Sequence, residues 1–168
     1  MKSRISPFNW YNELQNATID AIGRDLILFS NPDLSVVLDQ PFKMDITTAI
    51  ICLSGEMKGN INLEKYHIKA PCLFIVLSEQ ILQNEYISDD FSGLFIIMSD
   101  NFLNSMYLEA QSKLPLFRVV RENPVMPLDP EGLKALKRYF EMIQETVRLE
   151  DNPNRLEISK HLTLALFY

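Results

Sequence analysis

Histidine, cysteine and glycine are scarce in this chain, and the shortage of each excludes a kind of chemistry. The 168 residues include two His, two Cys and five Gly. A metal-binding barrel typically needs about three His and a carboxylate, so His67 and His161 are too few for one. No glycines have the spacing of a P-loop or a dinucleotide-binding turn. The sequence therefore predicts no metal, no cofactor and no catalytic residue.

Basic side chains are also in the minority. Lys and Arg number 16 against 22 Asp and Glu, which gives a net charge of −6. An acidic surface repels a phosphate backbone, so we expect these residues not to bind nucleic acid by themselves. No apolar run approaches the ~18 residues of a membrane span, and no secretory signal is visible at the start. The sequence predicts a cytoplasmic protein without a membrane contact.

The two cysteines, Cys52 and Cys72, both lie in apolar stretches. They could form a redox pair, but a thiol buried among aliphatic groups has a raised pKa and is inert. Free cysteine also packs as a small hydrophobic residue. We therefore expect both thiols to serve as core packing.

The centre of the chain, residues 55–99, alternates short apolar runs with turn residues. Apolar runs start roughly every 10 residues, which is the spacing of an antiparallel sandwich or barrel. A parallel sheet would need helical crossovers, for which there is no room. Within this region the segment 66–69, which contains His67, is interpreted as an exposed turn.

Three stretches of this region carry a resemblance: GEMKGNINLEKYHIKAP, LFIVLSEQI and SDDFSGLFIIMSDNFL. Over residues 46–106 their order of strands and turns resembles the cupin-type regulatory domain of AraC-family bacterial transcription regulators. The resemblance implies a cupin-like double-stranded β-helix, or jelly-roll barrel, that holds a small-molecule effector. It also implies a homodimer formed through the C-terminal helices, and DNA binding by helix-turn-helix units beyond this chain.

The flanks of the barrel are less regular. Residues 7–22 are interpreted as an N-terminal arm, and two apolar strands at 25–29 and 34–38 as a hairpin around the turn 30–33. Residues 46–53 predict a strand with two mostly apolar faces, sandwiched between the barrel interior and packed helices.

After the barrel, the spacing of apolar residues changes from the pattern of strands to the three- and four-residue spacing of helices. Asp100 is a candidate N-cap for a helix at 101–109, and the proline-rich stretch 114–128 predicts a connector with a short edge strand at 117–120. Asp129-Pro130-Glu131 then predicts a strong helix start. A second helix from about Asn154 is still apolar at Tyr168 and shows no cap, so we expect the chain to continue beyond it.

The first of these C-terminal helices has an apolar seam, made of Leu133, Leu136, Phe140, Ile143 and Val147. Such a stripe can dock the helix on its own barrel or pair it with a second copy. The residues leave both alternatives open, and the resemblance favours a dimer interface.

The sequence thus predicts a mainly β protein with C-terminal helices: an arm and cupin-like barrel at 1–128, and an antiparallel helix pair at 129–168. Four amphipathic side chains are candidates to line the barrel mouth and bind the effector: Trp10, Thr48, Tyr66 and Tyr86. The function expected is that of a ligand-sensing, dimerising domain of a transcription regulator. A stand-alone cupin-like enzyme and a purely structural dimerisation module are the alternatives.

Overall fold

A computed structural model describes residues 6–8, 19–31, 41–110 and 120–167 of the protein. In these ranges the chain forms strands and three helices, and residues 120–122 are also helical. The strands are β1 (Ser6–Phe8), β2 (Asp20–Ile22), β3 (Leu26–Ser30), β4 (Pro41–Met44), β5 (Thr47–Ser54), β6 (Glu56–Ile61), β7 (Glu64–Lys69), β8 (Cys72–Val76), β9 (Ile81–Ile87), β10 (Ser92–Met98) and β11 (Val125–Pro127). The helices are α1 (Asp100–Ala110), α2 (Pro130–Arg148) and α3 (Arg155–Phe167).

The strands form two sheets whose order defines the fold. One sheet has the order β1-β4-β9-β6-β7 and the other β11-β8-β5-β10-β3-β2. The eight strands from β3 to β10 therefore interleave as β4-β9-β6-β7 and β3-β10-β5-β8, which is the strand order of a jelly roll. Among the described strands, all pairings but that of β1 with β4 are antiparallel. The predicted fold class, a cupin-like double-stranded β-helix with C-terminal helices, is confirmed.

Strand β5 has two apolar faces, as predicted. Ile50 and Cys52 point into the barrel, whereas Ala49 and Ile51 belong to a second apolar cluster on the outer face of the six-stranded sheet. Residues of the three helices complete that outer cluster. The protein therefore has an inner core between the sheets and an outer core beneath the helices.

The interpretation of residues 66–69 as a turn is wrong, because they belong to strand β7. The turn of the β6–β7 hairpin is Asn62-Leu63, whose φ angles are +48° and +72°. Asn enters this left-handed region more readily than most residues. His67 is consequently an exposed strand residue, and its Nε2 lies 2.9 Å from Oε2 of Glu56 on β6. This hydrogen bond lowers the pKa of the Glu56 carboxyl.

Two predictions about connecting segments fall partly outside the described residues. The whole strand expected at 34–38 is outside the described residues. Residues 117–119 of the expected edge strand are outside them as well. The edge strand that the structure does show is β11, which pairs with β8.

Two N-cap residues were predicted from the sequence: one is confirmed, and the other lies one residue earlier than predicted. Ser99 rather than Asp100 caps α1, because its Oγ accepts a hydrogen bond from the Phe102 amide at 3.1 Å. Asp129 caps α2 as predicted: its Oδ1 accepts from the Gly132 amide at 2.6 Å, and Pro130 follows. No helix within the described ranges is long and apolar enough to cross a membrane.

The apolar seam of α2 packs on its own barrel. Phe140, Ile143 and Val147 are at most 2% exposed and belong to the outer core, and Leu133 and Leu136 pack against the same core. Phe140, Ile143 and Val147 are therefore buried within one chain, while Leu133 and Leu136 are half-buried, and the assignment of these five residues to a dimer interface stays a prediction. The physical reason for the burial is that the six-stranded sheet has an apolar outer face, which α2 covers.

The far end of α2 is tied to the edge strand β2. Asp20 accepts hydrogen bonds from Nε and Nη2 of Arg148 at 2.8 and 3.0 Å, and from Nε2 of Gln144 at 2.8 Å. The contact with Asp20 also raises the pKa of Arg148. Both ends of α2 are thus fixed, the first by the Asp129 cap and the second by Asp20.

Candidate functional site

Large apolar side chains occupy the interior of the barrel. The rings of Phe29 and Phe95 stack at 5.0 Å between centroids, and those of Tyr66 and Phe74 at the same distance. The buried inward residues are Ile27, Phe29, Met44, Ile50, Cys52, Met57, Ile61, Tyr66, Ile68, Cys72, Phe74, Val76, Phe95 and Ile97. The inner core is therefore mostly a hydrophobic packing layer.

Of the four predicted ligand residues, the structure describes Thr48, Tyr66 and Tyr86. Thr48 and Tyr66 are buried, 1% and 9% exposed, and Trp10 lies outside the described residues. Tyr86 is 45% exposed on the outer face, where its ring lies 5.9 Å from Nζ of Lys58. Tyr86 therefore does not line the barrel interior.

A β-bulge explains the position of Tyr86. Strand β9 pairs Asn84 with Gly59 and Tyr86 with Lys58, so Glu85 is an extra residue without a partner of its own. An extra residue inverts the alternation of side chains beyond it. Asn84 consequently points inward, and Tyr86 points outward instead of sharing the face of Asn84.

One polar pair interrupts the apolar interior. The Tyr66 hydroxyl donates a hydrogen bond to Oδ1 of Asn84, which is 3% exposed. Burial raises the pKa of Tyr66 well above its usual range. Gly59 makes room for this pair, because a Cβ there would lie 2.8 Å from the Tyr66 hydroxyl. The sequence reasoning missed Asn84, although its spacing from the apolar Leu82 could have placed it on the inward face.

The two cysteines lie directly opposite each other on β5 and β8. Both are free and buried in the inner core, at most 1% exposed. A hydrogen bond with the Cys72 thiol, together with burial, raises the pKa of Cys52 far above its usual range. The thiol of Cys52 is therefore protonated and packs as core, as the sequence predicts.

A cleft of about 350 Å³ opens beside the barrel, and we refer to it as the edge cleft. It lies where the free edge of β7 faces the segment 120–125, which leads into β11. Its lining residues are Ile61, Asn62, Glu64, Lys65, Tyr66, His67, Gln80, Val120, Arg121, Glu122, Asn123, Pro124 and Val125. Of the three predicted ligand residues that the structure describes, Tyr66 lines this cleft.

The β7 side of the edge cleft presents main-chain groups. Strand β7 pairs only with β6 among the described strands, and the Ala70 amide donates to the Gly55 carbonyl at 3.1 Å. In an antiparallel ladder every second residue points its N–H and C=O to the same neighbour. Counting back from Ala70, the even-numbered residues bond to β6. The N–H and C=O groups of Lys65 and His67 therefore point to the free edge.

Three carboxamide side chains in the edge cleft share a bonding pattern. Oδ1 of Asn62 accepts from the Ile81 amide at 2.8 Å, and Oε1 of Gln80 accepts from the Leu77 amide at 2.8 Å. Oδ1 of Asn123 likewise accepts from the Val125 amide at 3.3 Å. Each oxygen thus accepts from a main-chain amide, and the NH₂ group of each side chain carries two further donors.

The opposite wall of the edge cleft leads directly into α2. The Pro124 carbonyl accepts from the Ile75 amide at 3.0 Å, and the Leu128 amide donates to the Pro71 carbonyl at 3.1 Å. The next residue, Asp129, is the N-cap of α2. A displacement of this wall would therefore reach the helix start within a few residues.

No cluster of three or more His, Cys, Asp or Glu side chains suited to a metal ion occurs in the part of the chain that the structure describes. The acidic and basic side chains that line the edge cleft are those of Glu64, Lys65, His67, Arg121 and Glu122.

Comparison with known proteins gives only distant matches. No family model matches the chain, and no curated protein does. The solved structures that match include the AraC-like transcriptional activator CuxR, at 10% identity and a TM-score of 0.40 over 85% of this chain and 48% of that one. The cupin domain of Cnp3 from Schizosaccharomyces pombe matches at 10% identity and a TM-score of 0.37 over 55% of this chain and 75% of that one.

A third match is a predicted oxalate decarboxylase from Thermotoga maritima, at 16% identity and a TM-score of 0.31 over 44% of this chain and 64% of that one. The chain thus spans about half the length of CuxR and just under two thirds of the decarboxylase. These similarities carry no argument about function. The assignment of the jelly-roll fold comes from the strand order alone.

Proposed function

We propose that this chain is the effector-sensing and dimerising domain of an AraC-type transcription regulator, with the edge cleft as its sensing site. The observation that carries the proposal is the continuity between the cleft wall at 124–125 and the N-cap of α2. The sequence resemblance over residues 46–106 supplies the class of protein. A regulator of this class needs a ligand site that is mechanically linked to the element it presents to its partners.

The edge cleft favours sensing over a site in the inner core. The inward residues of the barrel are almost all apolar and buried, whereas the edge cleft is polar and accessible from solvent. A ligand that contacts both Tyr66 and Val125 would bridge the two sheet edges. Because β11 is only three residues long, few main-chain hydrogen bonds join that wall to β8. Occupancy would therefore bias the position of β11 and, through Asp129, the start of α2.

Dimerisation, in this proposal, uses the exposed face of α2 rather than its buried seam. Four exposed charges follow one another along that face at helical spacing: Lys134, Arg138, Glu141 and Glu145. The first half is basic and the second acidic, so an antiparallel copy would place each Lys or Arg against a Glu. Met142, which is 40% exposed, adds an apolar contact at the middle of this face.

The dimer proposal is tested with Met142→Glu. We expect sedimentation to show a wild-type dimer that the substitution converts to monomer, with the melting temperature of the monomer little changed because Met142 is exposed. Ala135→Glu on the same face should act likewise. A wild-type chain that stays monomeric at high micromolar concentration would remove dimerisation from the proposal.

The assignment to a regulator is tested by the reading frame of the gene. We expect two helix-turn-helix patterns after codon 168 and loss of sequence-specific DNA binding when they are deleted. A stop codon directly after Tyr168 would contradict the assignment.

The alternative of a stand-alone cupin enzyme is tested by elemental analysis after chelation and dialysis. We expect no stoichiometric zinc, iron or manganese. Bound metal together with turnover of a small metabolite would favour the enzyme.

A further inference from the structure

We infer that the edge cleft binds a small metabolite with an oxyanion, a carboxylate or a phosphate, and one or more hydroxyl groups. This inference rests on the proposed function, because it names the class of ligand for the same cleft. It comes from the balance of hydrogen-bond donors and acceptors among the lining residues.

The lining residues supply two kinds of uncharged hydrogen-bond donor. The carboxamides of Asn62, Gln80 and Asn123 carry NH₂ groups, and their oxygens are engaged with main-chain amides. The outward N–H groups of Lys65 and His67 on β7 add main-chain donors. Main-chain and carboxamide N–H groups are suitable partners for the oxygens of a carboxylate or phosphate.

Two cations in the edge cleft strengthen this preference. Lys65 and Arg121 form no ion pair with any side chain in the described ranges. Together with the two carboxylates of the lining, Glu64 and Glu122, they make these four groups formally neutral, in a chain whose net charge is −6. Arg in particular can bind a carboxylate or phosphate through two parallel hydrogen bonds.

Two carboxylates limit the charge that the cleft accepts. Glu64 and Glu122 also line it, and both are exposed. They disfavour a polyanion such as nucleic acid but can accept hydrogen bonds from hydroxyl groups. The outward carbonyls of Lys65 and His67 are further acceptors. The lining therefore fits a ligand with one anionic end and a hydroxylated body better than a bare inorganic ion.

The volume of the edge cleft agrees with this class. About 350 Å³ lies near the lower end of the range for small-molecule pockets. Since a water molecule occupies roughly 30 Å³, the cleft holds a ligand that displaces about ten waters. Citrate and glucose 6-phosphate are probes of suitable size, and they represent the carboxylate and phosphate sources of the same chemistry.

The test is an NMR titration of the ¹⁵N-labelled chain at constant ionic strength with citrate, glucose 6-phosphate or glucose. We expect one or both anions to shift the side-chain NH₂ signals of Asn62, Gln80 and Asn123 and the amide signals of Lys65 and His67. Glucose should leave them unchanged. A response to citrate alone would indicate that the natural ligand carries a carboxylate. A response to glucose 6-phosphate alone would indicate that it carries a phosphate.

A matched pair of substitutions separates the edge cleft from general charge effects. Lys65→Gln should weaken binding of the anion about tenfold, because one charge-assisted hydrogen bond is lost. Lys137→Gln removes the same charge from an exposed position of α2 that does not line the edge cleft, and should leave binding unchanged. Equal weakening by both substitutions would overturn the inference, since it would indicate non-specific attraction.

The remaining outcomes distinguish failure of this inference from failure of the proposed function. A response to glucose but to neither anion would overturn the oxyanion class and leave the edge cleft as a sensing site. No response to any probe up to about 10 mM would also overturn the inference. The reading frame beyond codon 168 decides the proposed regulator independently of either result.

Discussion

Gly59 is the residue on which the inner polar pair depends. It lies at the β-bulge between β6 and β9, and a Cβ there would lie 2.1 Å from the Gln83 carbonyl oxygen. That oxygen belongs to the main chain of a paired strand and cannot rotate away. The glycine therefore permits both the close approach of the strands and the hydrogen bond between Tyr66 and Asn84.

We predict that Gly59→Ala lowers the free energy of unfolding by about 3 kcal/mol, through overpacking of the bulge. Gly23→Ala is the control: Gly23 has φ +53°, but a Cβ there would have nothing within 4 Å, so only backbone strain of about 1 kcal/mol applies. Urea denaturation measures both. Equal losses for the two variants would show that contact with Gln83 and Tyr66 is not the cause.

Ser159 presents the opposite situation, a buried polar group without a partner. It is fully buried in α3, and within the described part of the chain its hydroxyl has no hydrogen-bond partner. One turn later, the Thr163 hydroxyl donates to the Ser159 carbonyl at 2.7 Å. The two hydroxyls are thus equally buried but differ in whether they are satisfied.

We predict that Ser159→Ala leaves stability unchanged or raises it by up to about 1 kcal/mol, because the desolvated hydroxyl is removed. Thr163→Val should instead lower stability by about 1 kcal/mol, since it removes a formed hydrogen bond at nearly constant volume. Thermal or urea unfolding of the two variants checks this. A clear loss on Ser159→Ala would indicate a partner outside the described residues.

At the scale of elements, α2 has two faces with different roles. Its apolar seam completes the outer core, while its charged face remains exposed. The predicted alternatives, self-packing and dimerisation, are therefore assigned to different sides of one helix: the first is observed for the seam, and the second stays a proposal for the exposed face.

We predict that Phe140→Glu destabilises the fold by about 4 kcal/mol or more, since it removes a buried ring and places a carboxylate in the outer core. The melting temperature should fall equally at low and high protein concentration. Ile158→Glu, at a 39% exposed apolar position of α3 outside the proposed dimer face, is the matched control and should melt near the wild-type temperature. A Phe140→Glu variant that stays folded and merely dissociates would contradict the packing of the seam on the barrel.

At the scale of the whole molecule, the outer core joins the barrel to the helices. Ile51, Ile75 and Ile96 on the six-stranded sheet share one cluster with Phe140 and Ile143 of α2. Removing the helices would expose this face of the sheet to water. The division of the chain into segments 1–128 and 129–168 stays a prediction. The cooperativity of unfolding can test whether the two segments are independent domains.

We predict that the barrel and the helices unfold in one two-state transition. The far-ultraviolet signal, to which the helices contribute strongly, and the near-ultraviolet signal of the aromatic side chains should change together in urea. A chain ending at residue 128 should aggregate or lose fixed tertiary packing, because its outer apolar face is uncovered. Two separate transitions, or a well-folded 1–128 fragment, would show that the segments are independent domains.

Local patterns in the sequence determined much of the fold. The spacing of apolar runs predicted the antiparallel barrel. Residues 46–53, which are mostly apolar on both faces of a strand, predicted a strand between two cores. Asp129-Pro130 predicted the start of α2. These features depend on neighbours along the chain, on side-chain alternation and on capping. They could therefore be inferred without knowledge of what packs against them.

Tertiary structure decided the position and composition of the candidate site. The bulge at Glu85 moved Tyr86 to the outer face, and an apolar sheet face buried the part of the seam that includes Phe140. The edge cleft brings β7 together with residues 120–125, which are far apart in sequence, so no local pattern could reveal it. Its donors became apparent only once hydrogen bonding engaged the oxygens of Asn62 and Asn123, because the chemistry that a carboxamide offers depends on which of its atoms is already bonded.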